Sequence, residues 1–420
     1  MNELKEQIRI GYVGLGRRGM SVLEQNLVHM RDVEIAYLCD TYPPAMEKAR
    51  ELLLANGRPE PRLVTDYREI LVDEGVDAVF LMTGWDGRSE MAEAALLAGK
   101  HAAVEVGCAF SLLECGRLLA AHKKTGAHLM MLENTCYMRR ELMVLNVARQ
   151  GLFGEIVHCD GGYHHDLRAC DLFKEVGGPN PHYRIGSYIE RNCEQYPTHE
   201  LGPIAKLLGI GHGNRFLTLS SFASKSRGLR EGAAHLLGED SPYASMDYAQ
   251  GDVITTLITC ENGETVHLCL DTTLPRPYYS RNYTVRGTLG GFMEERRVLF
   301  FEGMGENLED NEEKCFETYD HPLFRQYLAS GIEGGHSGAD YLTCRAFLEA
   351  VKAGTPPPID TYDTLTWMAV APLSEASIKA GGAPVPFPDY SEGAWRKRAP
   401  FVGKYSLDLV CNLPEQPIAP

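Results

Sequence analysis

Along residues 8–132 short apolar runs alternate with stretches whose apolar positions recur every three or four residues. The strand-like runs are Ile8–Val13, Val33–Cys39, Ala78–Met82, Ala102–Val106 and Leu129–Leu132, several of them nearly continuous in apolar residues. Strands read this way when helices cover both faces of a parallel sheet. The intervening segments Pro44–Leu54, Glu90–Ala98 and Leu112–Lys124 carry the helical spacing. The alternation predicts an α/β domain built on a doubly wound parallel sheet. After a helix ending near Gln150 the pattern changes. Asp252–Cys260, Thr265–Asp271 and Asn282–Gly287 are β-rich and follow one another without helices, with a hairpin turn at Glu261-Asn262-Gly263-Glu264. They predict an α+β domain around a large, mainly antiparallel sheet, and they set the division at residues 1–134 and 135–420. A polar and aromatic stretch, Leu167–Tyr196 with Gly177-Gly178-Pro179, reads as a long functional loop. Helical spacing returns over Ala339–Ala353 and Leu365–Ala380 before a Pro-rich tail.

A length of 420 residues accommodates two such domains. The formal charge of −16 argues against a nucleic-acid partner, because binding to a phosphate backbone needs clustered Lys and Arg. No uncharged apolar run approaches the roughly 18–20 residues of a membrane helix. Glu3, Glu6 and Arg9 interrupt the place where an export signal would be apolar, so the expected location is cytoplasmic. Twelve cysteines are scattered with no CxxC pair, the pattern of reduced, packed thiols. The acidic run Glu306–Glu313 reads as a solvated surface loop. The broad second sheet is a candidate surface for a homo-oligomer.

Gly14-Leu15-Gly16-Arg17-Arg18-Gly19 follows the first strand and opens a helix. In this context the first glycine permits the tight turn, the second lets a pyrophosphate approach the backbone, and the third allows close helix–strand packing. Helix N-terminal amides then meet the negative charge. Asp40 ends the second strand, where an acid accepts from a ribose 2′-OH and repels a 2′-phosphate, favouring NAD over NADP. Arg17 and Arg18 are further phosphate candidates. The carboxyl ends of later strands add Thr83-Gly84-Trp85, Glu105-Val106 and Glu133-Asn134 to a Rossmann-type NAD site.

These features together resemble the Gfo/Idh/MocA oxidoreductase family. Its common dehydrogenases carry Glu-Lys-Pro after the fourth strand of the N-terminal sheet; this chain has Glu105-Val106-Gly107 and lacks the lysine. The departures resemble one branch, the NAD-dependent glycoside hydrolases of family 109. Its markers occur in order: Met131-Leu132-Glu133-Asn134, Arg149-Gln150-Gly151-Leu152-Phe153-Gly154-Glu155, Tyr163-His164-His165-Asp166-Leu167-Arg168, Tyr196-Pro197-Thr198-His199, Gly251-Asp252-Val253, Pro275-Arg276-Pro277-Tyr278, Gly334-Gly335-His336 and Pro372-Leu373-Ser374. The resemblance implies cofactor contacts at the Arg18 turn, Asp40, the Trp85–Arg88 loop, Glu105, Val106 and Asn134. It implies sugar contacts from Tyr163, Arg184, Tyr196, Pro197, Thr198, His199 and Tyr278. Two positions depart from the branch. Trp-x-x-His becomes Trp85-Asp86-Gly87-Arg88, and Thr-His-Gly-Leu-Gly-Pro acquires Glu200.

The activity implied is hydrolysis of α-N-acetylgalactosaminides or related hexosides. NAD takes hydride from sugar C3, a base removes the C2 proton, the C1 group leaves, water adds, and hydride returns. His199 is the leading proton-transfer residue, because imidazole exchanges protons readily near neutral pH. Tyr196, three residues earlier, and Tyr163 complete the candidate catalytic set, and Arg184 suits a developing oxyanion. Three other readings compete. A sugar or cyclitol 3-dehydrogenase would use the same nucleotide fold. His164-His165-Asp166 suggests metal, but adjacent strand residues face opposite ways, so no metal site is expected. Glu200 and Asp252 could serve as the carboxylate pair of a cofactor-free glycosidase.

Overall fold

The computed structural model describes residues 6–107, 109–174, 182–305, 307–401 and 403–408. Six strands form the first sheet: β1 (Ile8–Val13), β2 (Val33–Cys39), β3 (Arg62–Val64), β4 (Ala78–Leu81), β5 (His101–Val104) and β6 (Leu129–Met131). All pair in parallel, in the order β3-β2-β1-β4-β5-β6. The order reverses between β1 and β4, and ligands of open α/β sheets sit at the carboxyl ends of strands beside such a reversal. β1 and β4 are almost wholly buried, which is why their sequences show no alternation. β3 lies outside the predicted runs because it is three residues long, with Arg62 exposed at the sheet edge.

The second sheet has eight strands: β7 (Ile156–His164), β8 (Phe216–Ala223), β9 (Val253–Cys260), β10 (Thr265–Asp271), β11 (Thr284–Gly287), β12 (Gly290–Met293), β13 (Val298–Phe301) and β14 (Val385–Pro386). Their order is β13-β12-β11-β7-β10-β9-β8-β14, antiparallel throughout except for the parallel pair β7–β10. The pattern does not single out β7, because His158, Asp160, Gly161 and Gly162 break its apolar alternation. Gly161 is bare for a reason. A Cβ there would stand 2.6 Å from Glu200 Cβ, so glycine lets the helix Thr198–Leu207 lie directly on the sheet.

Three expectations need correction. The predicted helix Leu365–Ala380 is two helices, Thr361–Met368 and Val370–Lys379. Pro372 has no N–H to give the Met368 carbonyl and crowds it, so the chain breaks there. That carbonyl instead accepts from Ala109 N at 3.2 Å, two residues beyond Glu105-Val106-Gly107. The long loop is partly ordered, with a π-turn at Arg168–Leu172 and a helix at Arg184–Glu190, while Gly177-Gly178-Pro179 lies outside the described residues. The acidic run is not wholly solvated. Glu306 lies outside the described residues, and Glu312 is buried between Arg140 and Arg297.

The turn Asn134–Tyr137 after β6 packs on both the helix Thr198–Leu207 and the helix Ala339–Ala353. The first of these helices packs on β7 and the second on β1, so the turn links the two sheets. Among the described residues no helix is long and apolar enough to cross a membrane. All ten described cysteines are free thiols, and only Cys170 among them is exposed.

Candidate active site

A cleft of about 600 Å³ runs from the Gly14–Gly19 turn to the end of β7. Gly14, Gly16, Arg17, Arg18, Asp40, Glu105, Val106 and Asn134 line one side, and Tyr163, Arg184, Tyr196 and His199 line the other. Twelve residues singled out from the sequence thus converge from both domains.

The cofactor end is shaped by what its glycines leave out. Gly14 has φ +96°, and a Cβ there would meet the Met82 carbonyl carbon at 2.8 Å. A Cβ on Gly19 would lie 2.1 Å from Gly14 O, so the third glycine is buried packing and does not line the cleft. A Cβ on Gly16 would meet nothing, which leaves bare backbone at the N-terminus of the helix Arg17–Gln25. Asp40 is fixed by two backbone donors, Leu15 N to Oδ2 at 2.6 Å and Tyr42 N to Oδ1 at 2.9 Å. Asn134 Oδ1 is buried without a partner in the cleft wall. A bare turn at a helix N-terminus, an anchored acid and an orphaned acceptor fit a dinucleotide.

Behind this surface, donors converge on Asp340, a buried residue of the helix Ala339–Ala353. Arg18 donates to both its oxygens at 2.7 and 2.8 Å, Asn134 Nδ2 at 2.7 Å and His336 Nδ1 at 2.8 Å. Arg18 Nε also reaches Glu105 at 3.0 Å. Burial alone would raise Asp340, but hydrogen bonds from Arg18 and His336 outweigh it and hold the carboxyl well below its usual range. His336 and Ser337 both sit in the left-handed region, φ 49° and 56°, and His336 lines the cleft. Arg17 pairs with Asp171 across the cleft mouth.

At the other end of the cleft, His199 opens the first turn of the helix Thr198–Leu207. Its Nδ1 lies 2.7 Å from Glu133 Oε1, and its Nε2 lies 3.3 Å from the Tyr196 hydroxyl. The Tyr163 ring packs on Tyr196 and His199, with centroids 4.6 and 5.6 Å away. Burial pushes both phenols well above their ordinary range, so each stays a neutral donor near neutral pH. Tyr163 Oη also meets His165 Nδ1 at 3.1 Å. The Arg184 guanidinium lies 4.5 Å above the Tyr196 ring and 5.2 Å from Trp85. It has no carboxylate within ion-pair distance among the described residues.

Several expected contacts lie elsewhere. Trp85 is buried behind the wall, where it supports Arg184 and Tyr196. Arg88, also buried, donates to the carbonyls of Thr83 at 3.3 Å and Val106 at 3.0 Å, pinning the two cofactor loops from outside the cleft. Pro197 and Thr198 are buried at the helix start. Tyr278 is 58% exposed and donates to Glu295 at 2.7 Å. Its neighbour Tyr279 points the other way and meets Tyr163 and His165 edge-on. Glu133, expected toward the cofactor, turns to His199.

The competing readings lose their geometry. Asp252 caps the helix Gly228–Leu237, accepting from Arg227 N at 2.7 Å, Gly228 N at 2.9 Å and the Thr273 hydroxyl at 2.8 Å. Glu200 is buried against β7, and burial pushes it well above the usual carboxylate range. Neither lines the cleft. His165 faces Tyr163, while the buried His164 ring nitrogens have no partner. Among the described residues one group, His212, Asp360 and Asp363, brings its ligand atoms within 4.8 Å of one another. Its acids already pair with Lys206, at 2.5 Å from Asp363, and with Arg398.

Residues 8–133 match the oxidoreductase family, NAD-binding Rossmann fold, and residues 137–397 match the glycosyl hydrolase 109 C-terminal domain. A glycosyl hydrolase family 109 protein of Stenotrophomonas maltophilia (strain K279a) is 38% identical over 95% of this chain and 93% of its own length. An alpha-N-acetylgalactosaminidase of Tannerella forsythia is 36% identical over 94% of this chain and 88% of its own. A levoglucosan dehydrogenase solved with NADH and levoglucosan shares the fold at a TM-score of 0.66 and 17% identity, covering 91% of this chain and all of that one.

Proposed function

The chain belongs to glycosyl hydrolase family 109, and from that premise we propose that its substrate is an α-linked N-acetylgalactosaminide or a related hexoside. It is an NAD-dependent glycosidase on an oxidoreductase fold. One observation carries the finer reading. His199, Tyr196, Tyr163 and Arg184 share a wall opposite the dinucleotide turn, and no lysine follows Glu105 to make a plain dehydrogenase of the site.

The Gly14–Gly19 turn, Arg18, Asp40, Glu105, Val106 and Asn134 would hold NAD, which when bound would supply reversible removal of hydride from sugar C3. The protein's own part is proton transfer and charge stabilisation. With a carbonyl at C3 the C2 hydrogen is acidic, and His199 Nε2 accepts it. The C–H electron pair passes into the C1–C2 bond and expels the C1 group. Arg184 and the two neutral phenols hold the C3 oxygen, and the guanidinium, which meets no carboxylate among the described residues, answers the negative charge that develops there. Water then gives its hydroxyl to C1 and its proton to the departing alkoxide, and the His199 imidazolium, its hydrogen exchanged with solvent, protonates C2; with hydride restored at C3 the net reaction is hydrolysis.

Aryl glycosides of both anomers test this. The expected result is hydrolysis of the α-N-acetylgalactosaminide without NADH accumulation, with solvent deuterium at C2 of the released sugar. His199→Ala should abolish turnover with NAD still bound. Protium retained at C2, or an active His199→Ala, would overturn the mechanism. NADH released in step with oxidised sugar would make the chain a 3-dehydrogenase.

A further inference from the structure

We propose that Glu133 is the positioning residue of the catalytic histidine: it fixes the tautomer that leaves Nε2 unprotonated toward the cleft and stabilises the imidazolium formed there. The inference rests on the reading above that His199 moves the C2 proton.

Glu133 is fully buried at the carboxyl end of β6. Its Oε1 accepts from His199 Nδ1 at 2.7 Å, the Thr135 hydroxyl at 2.8 Å and Thr135 N at 3.2 Å. Its Oε2 is buried and accepts no bond of full geometry, with the Thr198 hydroxyl as the side-chain donor nearby. A carboxylate so far out of water is costly unless a cation is at hand. His199 is that cation when it takes a proton. Burial would raise the Glu133 carboxyl, yet His199 first, and then the Thr198 and Thr135 hydroxyls, hold it below its usual range. An ionised carboxylate only accepts, so Nδ1 carries the hydrogen and Nε2 carries the lone pair.

The groups around the imidazole leave Glu133 as its counter-ion. Tyr196 Oη, a neutral phenol, faces Nε2 at 3.3 Å. The Tyr163 ring packs on it from β7, and His165 lies beyond Tyr163. Arg184 sits over Tyr196 on the far side. The Thr135 hydroxyl shares its one hydrogen between Glu133 and the His199 carbonyl, 2.7 Å away, so the same short turn touches both the ring's partner and the backbone of the base. Glu133 and Asn134 are consecutive. One reaches across to His199, and the other joins the Asp340 hub under the cofactor turn. A single strand end therefore sets the base in register with the cofactor, which a base borne by the second domain alone would lack.

The test uses the NAD-loaded full chain. Glu133→Gln keeps size and removes charge. It should lower kcat by about 10²–10³-fold with KM within about threefold and NAD content unchanged, in line with the loss of an oriented, stabilised base. The acidic limb of its pH–activity profile should move to lower pH, because an imidazolium without its anion loses its proton more easily. Glu133→Asp, which keeps the charge, should recover at least about tenfold of the loss. Glu133→Gln combined with His199→Ala should be no slower than His199→Ala alone, since the carboxylate acts only through the ring. A near-wild-type Glu133→Gln, an unmoved pH limb, or additive losses in the double variant would overturn the proposal. An active His199→Ala would instead overturn the mechanism beneath it. If Glu133→Gln does not accumulate as folded protein, ¹⁵N-histidine spectra of the wild-type holoenzyme decide. His199, assigned by its absence in His199→Ala, should show a protonated Nδ1 and a bare Nε2 in its neutral form. The opposite tautomer would overturn the proposal.

Discussion

Replacing Asp340 by Asn removes the charge on which Arg18, Asn134 and His336 converge. The amide is the same size, but its NH₂ must face one of those donors, so at least one of the bonds at 2.7 or 2.8 Å becomes a repulsion. Breaking a buried ion pair costs about 3–5 kcal/mol. The lower end, about 3 kcal/mol, applies here, because the Arg18 side chain keeps 30% of its exposure and retains Glu105 at 3.0 Å. Arg18 and Asn134 both line the cofactor cleft, so NAD must then order them itself. At about 1.4 kcal/mol per decade, NAD binding weakens about 10²-fold. The measurement is NAD retained by the purified chain after gel filtration, followed by calorimetric titration of the stripped protein. The pH dependence has a definite sign. A carboxyl held below its ordinary value gives its full contribution above that value and loses it only as pH falls through the lower folded one. The gap between wild type and Asp340→Asn is therefore constant from pH 5 to 8. Equal NAD retention at pH 7, or a gap that closes inside that window, would refute the ionised hub.

Asp40→Ala should weaken NAD by about tenfold and NADP by less, since it removes both an acceptor and a repulsion; equal losses in paired titrations would contradict the ribose assignment. Tyr278→Phe should leave kcat/KM within about twofold, whereas Tyr279→Ala, which strips the edge contacts to Tyr163 and His165, should lower it about tenfold; a reversed order in steady-state assays would return the sugar contact to Tyr278. Burial pushes Glu194 up to about 8. A carboxyl raised on folding stabilises fully below its ordinary value and loses that contribution as pH rises through about 8. Glu194→Gln should thus raise the thermal midpoint at pH 9 and leave it unchanged at pH 5, and an equal change at both would sink the assignment.

The first sheet was legible because parallel strands buried on both faces write themselves as apolar runs. β1 and β2 fall on the residues the pattern marks. β3 escaped because three residues with an exposed arginine carry no periodicity. β7 escaped for a different reason. It gives up apolar alternation to bring Gly161 under a helix and Tyr163 to the cleft, so the demands of the site erase the signal of the strand. The side on which Tyr278 lies was not legible: its ring is exposed beside Glu295, and Tyr279 is the one that meets Tyr163. In an extended segment the face a side chain takes depends on register, and Pro275-Arg276-Pro277 offers no alternation from which to count it.

The groups that organise the site were the least legible, and the reason is topological. Arg18 and Asp340 lie 322 positions apart, and Glu133 and His199 lie 66 apart. Periodicity reports which face of an element is apolar; it does not report which polar groups of distant elements meet. A glycine-rich turn announces itself because turn, strand and helix are contiguous. A buried acid that gathers donors from both domains looks, in the sequence, like any acid near a helix start. What marks Asp340 and Glu133 is the fold. Each is a carboxylate taken almost wholly out of water, and a charge so placed persists only where its partners are fixed beforehand. On the proposed reading, one acid holds the residues that meet the cofactor and the other holds the base. The same turn after β6 supplies Glu133 to the base and Asn134 to the hub, so loosening either acid should be felt at the other end of the cleft.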